Sequence, residues 1–329
     1  MSNIFKINQK QLAYYQKPLL ILIGLSLGLI IGVTISYKKD LDKAEMHETG
    51  YKYISPLIEC FSNQSESPSN NKLQGKIHDL INRNLAEKKI TDAAIYFSDL
   101  ANGPWIGVNE SRKFTPASLL KVSILITYYK LAETEPDVLQ KKVLIDSRYE
   151  SVTVPNILST KKIINGQTYT IEELLTYMIA ESDNHAANVL LNEIPNELFI
   201  KTYNDLGLNF PDTKNPDNYM TVKDYASFFR ILYNSSYLNK NYSEKALILL
   251  SQSEYKSGLV AGVPDNVEVA HKFGERRDEE KNINQLHDCG IVYKQNKNYL
   301  LCIMTRGQNF DDLTKTIKDI SELVYQNVN

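Results

Sequence analysis

Cysteine is scarce in this chain. Its 329 residues include three, at positions 60, 289 and 302. Three cysteines do not make a disulfide framework, and an odd number cannot all pair within one chain. Cys289 and Cys302 fall in segments with the pattern of neighbouring strands, so we expect both to be buried free thiols. Apolar packing then has to hold the fold together, and a chain of this length can bury a core large enough to do so.

The chain also lacks a strong net charge and any block of lysine or arginine. Its formal net charge is −2, which argues against a nucleic-acid-binding protein. With 43% hydrophobic and 23% charged residues, the composition is that of a globular protein and not of a disordered one. The average hides an asymmetry. Residues 1–39 contain five lysines and no acidic residue, so the remaining 290 residues carry −7.

Charge is absent from twenty consecutive residues, 18–37, between Lys17 and Lys38. At about 1.5 Å rise per residue, a helix of this length spans a hydrocarbon core of roughly 30 Å. A cleaved signal peptide would have a shorter apolar region and a small-residue cleavage site, and a buried core helix would show a polar stripe. We therefore expect 18–37 to be a transmembrane signal anchor in contact with the lipid bilayer, preceded by a short cytoplasmic tail over 1–17. The lysines on its two sides are nearly balanced, so they do not decide the orientation.

Residues 38–72 have the composition of a flexible tether. The stretch 62–71 is polar, of low complexity, and offers nothing to pack. From Leu73 onward apolar residues recur at helical spacing, which predicts an amphipathic first helix. We therefore expect a tether over 38–72 and a folded domain over 73–329.

The folded domain has the element order helix, hairpin, helical block, three strands, helix. The segments with strand character are 93–100, 105–109, 267–274, 290–294 and 299–305. A capping box formed by Thr170 and Glu173 opens a predicted helix over 171–180, and apolar residues at helical spacing from Phe310 to Val324 mark the closing helix. We expect an α+β fold in which the first and last strands share one antiparallel sheet. Both terminal helices would cover one face and an all-helical lobe the other.

A serine and a lysine three residues apart open an apolar helix in this lobe. Ser118 and Lys121 fall one turn apart on the same helix face. A serine hydroxyl needs an adjacent base to act as a nucleophile, and a lysine can be that base when burial lowers its pKa. The free N–H groups at a helix start can stabilise developing negative charge. This spacing also occurs elsewhere in the chain, and a capping serine followed by a surface lysine is the ordinary alternative.

Two further short motifs follow in the chain. Ser182-Asp-Asn184 comes after the predicted helix 171–180, and Lys272-x-Gly274 comes at the end of a strand. Taken alone, the first is typical of a capping loop, because aspartate and serine are preferred helix caps. The second means little by itself, since a lysine near a strand end is usually solvated and a glycine permits a turn or a close backbone approach.

Together, in this order and approximate spacing, the three motifs resemble the signature of the penicillin-recognising serine hydrolases. The chain from about 73 to 327 is similar to the catalytic domain of a class A β-lactamase. The segments 186–191, 258–264 and 288–292 also resemble that family. The resemblance implies the class A β-lactamase and transpeptidase-like fold, with a reaction that uses no cofactor and no metal. The five histidines are scattered along the sequence and form no pattern of metal ligands.

The resemblance also implies a role for each motif residue. Ser118 would attack a strained lactam or a D-Ala-D-Ala amide and become acylated, with Lys121 accepting its proton directly or through a water. Ser182 would relay a proton to the leaving nitrogen. The implied substrate-binding residues are Asn184 for the side-chain amide, Lys272 for the carboxylate, and Gly274 with Glu275 beside it. The backbone N–H groups of Ser118 and Glu275 would form the oxyanion hole.

One departure from the family pattern concerns deacylation. The family's deacylating glutamate lies in a Glu-x-x-Leu-Asn context, and none occurs between Asn184 and Lys272. The omega loop before Thr221 is severely shortened, and we expect Glu193 and Glu197 to be surface charges of the preceding helices. Without a base to activate water, the acyl-enzyme should persist.

A second departure concerns the substrate carboxylate. Phe273 stands where the family has threonine, and its side chain could face the site or point away. The family's carboxylate-binding arginine on the next strand is missing, with His287 and Asp288 near that point. Arg306 could substitute for it or be an exposed arginine at a strand end. We expect His271 to be a packed strand residue.

The sequence therefore predicts a membrane-anchored serine hydrolase that acts outside the cytoplasmic membrane, where peptidoglycan lies. A β-lactamase with slow deacylation, a D-Ala-D-Ala peptidase or amidase that binds penicillin, and a non-hydrolytic sensor of β-lactams or muropeptides remain open. The expected partners are a β-lactam or a peptidoglycan peptide, together with the lipid bilayer at 18–37, and no nucleic acid. No oligomeric state is assigned.

Overall fold

The computed structural model describes residues 51–55, 68–100, 105–150, 155–208, 210, 219–295 and 297–328. The chain divides into two units, 1–51 and 52–329, and the fold below is that of the second. The predicted cytoplasmic tail 1–17 and signal anchor 18–37 lie outside the described residues. Within the ranges just given, no helix is both long enough and apolar enough to cross a membrane.

The centre of the second unit is a five-stranded antiparallel sheet. The strands are β1 (Asp92–Asp99), β2 (Trp105–Val108), β3 (Lys113–Phe114), β4 (Lys142–Leu144), β5 (Thr168–Thr170), β6 (Met220–Thr221), β7 (Glu268–Asp278), β8 (Ile283–Tyr293) and β9 (Tyr299–Gly307). The large sheet has the order β2-β1-β9-β8-β7, while β3 pairs with β6 and β4 with β5. The first and last strands thus share one antiparallel sheet, which confirms the predicted arrangement.

Helices cover both faces of this sheet. They are α1 (Pro68–Ala86), α2 (Lys121–Ala132), α3 (Ile171–Ala180), α4 (Asn184–Glu193), α5 (Asn196–Asp205), α6 (Val222–Tyr233), α7 (Lys240–Ser251) and α8 (Phe310–Asn327). Apolar residues of α1 and α8 form one continuous core with alternate residues of β1, β9, β8 and β7. The remaining helices make up the lobe in which α6 packs against β9 and α7 against β7. Helix α3 has the predicted bounds, and its capping box is formed by Thr170 and Glu173.

The hairpin of β7 and β8 is longer than its sequence pattern suggests. The predicted strands 267–274 and 290–294 become two strands of eleven residues each, paired from Glu268 with Tyr293 to Asp278 with Ile283. Four of the added residues of β8 are polar yet buried, because the sheet and its neighbours supply their hydrogen bonds. They are Asn284, Gln285, His287 and Asp288. Hydrophobic periodicity does not recognise such residues as a strand.

Cys289 and Cys302 are not free thiols, so the prediction made for them is wrong. They lie directly opposite each other on β8 and β9, and a disulfide joins them. Their Cα atoms are 4.0 Å apart, closer than the roughly 4.5 Å of the closest cross-strand pairs in an antiparallel sheet. The sequence shows two strands but not their register, and the register is what brings these sulfur atoms together.

Four residues of the predicted tether pack against the domain. Tyr53 and Ile54 are buried, and the carboxylate of Glu244 on α7 accepts the backbone N–H groups of residues 52–54 at distances of 2.7 to 3.1 Å. The Tyr293 hydroxyl donates to the carbonyl of Tyr53 at 3.0 Å. We call residues 52–55 the strap. The packed unit therefore begins before Leu73, and residues 68–72 of the predicted tether belong to α1. A tether over 38–50 and 56–67, which lie outside the described residues, stays a prediction.

Candidate active site

Ser118 lies in a short turn that leads directly into a buried helix. Residues Ala117–Leu120 form a 3₁₀ turn, and α2 begins at Lys121. Ala117 has a φ of +51°, in the left-handed region that non-glycine residues rarely adopt. The turn places Ser118 on the wall of a cleft of about 400 Å³. Further residues lining this cleft are Pro155, Asn156, Ile157, Ser182, Asn184, Phe273, Glu275, Arg276 and Arg277.

Strand β7 runs directly against the turn that carries Ser118, and Gly274 makes this contact possible. A Cβ atom at position 274 would lie 2.6 Å from the carbonyl oxygen of Pro116 and 3.0 Å from the backbone nitrogen of Leu119. Only glycine allows two backbone segments to approach this closely. The contact brings the next residue, Glu275, to the cleft that Ser118 lines.

The amine of Lys121 is buried and held on one side of the cleft. Its Nζ atom donates to the carbonyl oxygen of Ser182 at 2.5 Å, lies 3.2 Å from Ser182 Oγ, and donates to Asn184 Oδ1 at 2.7 Å. Among the described residues, no hydrogen bond joins it to Ser118. Burial lowers the pKa of Lys121 to about 7, with the charges of Asp183 and Glu275 opposing the shift. A substantial fraction of this lysine is therefore neutral near pH 7 and able to accept a proton.

Ser182 lies between α3 and α4 in a left-handed conformation, with a φ of +56°. The capping function that the sequence suggests belongs to its neighbour, because Asp183 accepts the N–H groups of Ala186 at 2.9 Å and Ile163 at 3.1 Å. This leaves Ser182 and Asn184 facing the cleft. A strained backbone that is fixed by a cap on the next residue is typical of a functional position.

Lys272 approaches the same hydroxyl from β7. Its Nζ atom lies 2.9 Å from Ser182 Oγ and 3.1 Å from the carbonyl oxygen of Phe273. The side chain is fully buried, and burial first, then the charge of Lys121, lowers the pKa of Lys272 well below its usual range. The serine of the second motif thus lies between the lysines of the first and third.

Phe273 belongs mainly to the apolar core. Its ring is 5% exposed and lies 4.4 Å, centroid to centroid, from the ring of Tyr255. The amine of Lys272 lies 4.2 Å from the centroid of the Phe273 ring. The aromatic residue that replaces the family's threonine therefore supports this lysine and offers no hydroxyl to a ligand.

The family model for the beta-lactamase enzyme family matches residues 72–328. The chain belongs to this family. The match covers the sheet, the helical lobe and all three motifs, which the structure brings together around Ser118 and Ser182.

Several solved structures are similar to this chain in fold. PBP-A is 22% identical over 78% of this chain and 95% of its own, with a TM-score of 0.64. A class A β-lactamase representative from Bacteroides cellulosilyticus is 21% identical over 80% of this chain and 99% of its own, with a TM-score of 0.67. The extended-spectrum β-lactamase TLA-3 is 18% identical over 78% of this chain and 98% of its own, with a TM-score of 0.68. At these identities the likeness shows the fold. None of the curated proteins matches the chain.

Arg306 does not lie in the cleft of this family member. Its guanidinium binds Asp92 at 3.4 Å, donates to the carbonyl of Lys113 at 3.2 Å, and lies over the Phe114 ring. The idea that it substitutes for the missing arginine is therefore wrong. The arginines that line the cleft are Arg276 and Arg277, which the sequence did not indicate because its strand pattern ends at Gly274.

The two histidines of the strands are structural. His271 is buried, with Nδ1 2.8 Å from Asp288 Oδ1, as expected of a packed strand residue. His287 is buried between the carbonyl of Thr115 at 3.0 Å and the backbone N–H of Thr305 at 3.2 Å. Among the described residues, the lining of the cleft includes neither histidine.

The glutamates of the preceding helices lie elsewhere. Glu193 forms an exposed ion pair with Lys141 at 2.8 Å, and Glu197 is an exposed residue in the first turn of α5. Residues 211–218 of the shortened loop lie outside the described part of the chain. Among the described residues that line the cleft, Glu275 is the one with a carboxylate. The sequence motifs imply a role only for its backbone N–H and give no indication of this side chain.

Proposed function

We propose that this protein is a membrane-anchored serine hydrolase that forms an acyl-enzyme at Ser118 with β-lactams and deacylates slowly. The observation that carries the proposal is the placement of Ser182 Oγ between two buried lysine amines, in the cleft that Ser118 lines. A hydroxyl bridging two amines with lowered pKa values can pass a proton from one side of the cleft to the other.

Acylation would proceed in two proton transfers. Ser118 Oγ attacks the lactam carbonyl carbon, and the neutral amine of Lys121 takes up the hydroxyl proton, directly or through a water. The C–N bond then breaks, and Ser182 delivers a proton to the leaving nitrogen beside Lys272. The backbone N–H groups of Ser118 and Glu275 would stabilise the oxyanion.

Substrate binding would use the remaining motif residues. Because Asn184 Oδ1 accepts a hydrogen bond from Lys121, its NH₂ group is left to donate to the carbonyl of the substrate's side-chain amide. Lys272 would attract the substrate carboxylate. No step requires a cofactor or a metal ion.

The expectation of slow deacylation is supported by the state of Glu275. One oxygen of this carboxylate accepts the backbone N–H of Ile157 at 3.0 Å, and the other is buried away from solvent. Neither oxygen is available in this arrangement to activate a water for attack on the ester at Ser118.

The second candidate is a peptidase or amidase that acts on D-Ala-D-Ala peptides of peptidoglycan, or a sensor that binds β-lactams or muropeptides without turnover. The penicillin-binding protein PBP-A is among the structural neighbours, and its L158E mutant has been solved as an acyl-enzyme complex with penicillin G. The missing glutamate context between Asn184 and Lys272 favours the peptidase or amidase over the β-lactamase, because a bound penicillin would then stay on the serine.

The location follows from the predicted anchor. A signal anchor over 18–37, with residues 1–17 in the cytoplasm, would place the hydrolase domain outside the cytoplasmic membrane, where its substrates lie. If the mature chain is found by amino-terminal sequencing to start after residue 37, the segment is a cleaved signal peptide.

Incubation with a fluorescent penicillin and then with nitrocefin tests the function. We expect stable labelling at Ser118, found by peptide mass spectrometry, and nitrocefin turnover well below one per second. Ser118→Ala should abolish labelling while its thermal unfolding stays that of the parent. Rapid turnover without a stable adduct would identify an efficient β-lactamase. Absence of labelling in both proteins would overturn the catalytic proposal.

A further inference from the structure

A short segment divides the space in front of Ser182 into two cavities. Pro155 and Ile157 line the cleft of about 400 Å³ that contains Ser118, and they also line a second cavity of about 270 Å³. Ser182 and Asn184 border both cavities. The second is further lined by Glu150, Ser159, Lys162, Ile163, Glu181, Asp183 and His185. We call residues 155–157 the partition.

A hydrogen bond crosses the cleft and holds the partition against β7. The backbone N–H of Ile157 donates to Oε1 of Glu275 at 3.0 Å, between residues 118 positions apart in the chain. The Ile157 side chain is partly buried and packs against the apolar core that includes Phe273. The acceptor therefore belongs to one wall of the cleft and the donor to the other.

The carboxylate of Glu275 accepts this bond with only one of its two oxygens. Oε2 of Glu275 is buried and has no hydrogen-bond partner among the described residues. A buried acceptor without a donor is unfavourable, and more so when it carries charge. Opening of the partition would expose Oε2 to water. The hydration of this oxygen would offset part of the free energy that is lost with the bond to Ile157. The closed arrangement is thus one that a ligand can displace.

We propose that Glu275 is a positioning residue that sets which acyl donors reach Ser118, by holding the partition closed. With the partition closed, the 400 Å³ cleft takes a compact acyl group; with it displaced, the two cavities join in front of Asn184 and admit a long one. The acyl donors that displace it are those with extended, branched side chains, such as a peptide stem. The inference rests on the proposed acylation of Ser118.

The test compares two penicillins that share a nucleus and differ in side-chain size, penicillin G and piperacillin. The second-order acylation rate constant of Ser118 is measured for each by competition with a fluorescent penicillin. Glu275→Ala removes the acceptor, whereas Glu275→Gln keeps an amide oxygen for the Ile157 N–H and loses only the charge. We expect Glu275→Ala to raise the ratio of the piperacillin to the penicillin G rate constant about tenfold. Glu275→Gln should keep the ratio of the parent within about twofold.

The outcomes separate this inference from the function itself. If the parent is not labelled at Ser118, the proposed function fails. If the parent is labelled and Glu275→Ala leaves the ratio unchanged, the partition does not select acyl donors. If Glu275→Gln changes the ratio as much as Glu275→Ala, the charge acts and the hydrogen bond does not, which also overturns the proposal.

A second variant approaches the bond from its donor. Ile157→Pro removes the N–H and keeps an apolar residue at this position, so it should raise the ratio in the same direction as Glu275→Ala. A parent-like ratio in Ile157→Pro would overturn the proposal even if the alanine variant does not fold. A general structural defect would lower both rate constants together and leave their ratio unchanged.

Discussion

Lys121 and Lys272 direct their amines at the same oxygen, Ser182 Oγ, at 3.2 and 2.9 Å. Each comes from a different motif and a different element, the start of α2 and the middle of β7. Two ammonium groups at this distance would repel each other strongly, and burial makes both charged forms unfavourable. The protonation of these two amines therefore changes with pH, and we expect the rate of acylation at Ser118 to change with it.

Acylation should therefore follow the titration of Lys121. The pKa of Lys121 is lowered to about 7, mainly by burial, and only the neutral amine accepts a proton. We expect the second-order rate constant for acylation by penicillin G to fall about tenfold per pH unit below pH 7 and to level off above it. Stopped-flow labelling between pH 5 and 9 measures this profile. A rate that is flat across that range would contradict the assignment of Lys121 as the base.

The stability of the domain should decrease in acid because of His287. Burial, and to a smaller extent the charge of Arg306, lowers the pKa of His287 to about 4. The Nδ1 atom also accepts the Thr305 N–H, and protonation there would lose this bond. The unfolded state, with a pKa near 6.5, binds the proton more readily, so the free energy of unfolding rises with pH. This contribution is complete above pH 6.5 and is lost as the pH falls to 4, about 3 kcal/mol in total.

Urea unfolding at pH 7 and pH 4 checks this expectation. His287→Gln provides the control, because an amide can donate to Thr115 and accept from Thr305 without titrating. The parent should lose about 3 kcal/mol more than this variant between the two pH values. An equal loss in both proteins would mean that other groups cause the acid sensitivity.

The disulfide between Cys289 and Cys302 should stabilise the sheet. It closes a loop of 13 residues in sequence separation, for which the restriction of the unfolded chain is worth roughly 3 kcal/mol. Reduction, or Cys302→Ala together with Cys289→Ala, should lower the free energy of unfolding by about that amount. Alkylation of the unfolded, unreduced protein should modify Cys60 alone. Modification of all three cysteines would show that the bond is not formed in the isolated protein.

The strap should depend on Glu244. This buried carboxylate accepts the N–H groups of residues 52–54, and hydrogen bonds to a charged acceptor contribute about 1.5 to 3 kcal/mol. We expect Glu244→Ala to reduce the free energy of unfolding by about 2 kcal/mol and to release the strap. Faster amide exchange at 52–54 and new proteolytic cleavage there would report the release. The control is Glu254→Ala, at an exposed position, which should change neither the free energy of unfolding nor the exchange at 52–54. Unchanged amide exchange in Glu244→Ala would contradict the role of Glu244.

The sequence was sufficient for the elements whose signals are local. The capping box at Thr170 and Glu173 defined α3 over 171–180, and the three motifs indicated the residues that meet around Ser182. Each of these signals is carried by residues within a few positions of one another, where spacing and chemistry are visible without the fold.

The features that the sequence did not reveal depend on distant partners. The start of β8 is polar, and Asn284, for example, is buried because its side chain donates to the carbonyl of Gln308. The strap reaches Glu244 across 190 to 192 positions, and the partition reaches Glu275 across 118. Hydrophobic periodicity and short motifs contain no information on such pairs.

The close packing around Gly274 limits how this wall of the cleft can be altered. The side chain of the next residue, Glu275, lines the cleft and can be exchanged to change what the cleft holds. Position 274 admits no side chain at all, because a single methyl group would meet the backbone of Pro116 and Leu119. Gly274→Ala would push β7 away from the turn of Ser118 and separate the nucleophile from Glu275. Redesign of the specificity of this wall can therefore exchange the side chain at position 275 but has to keep glycine at position 274.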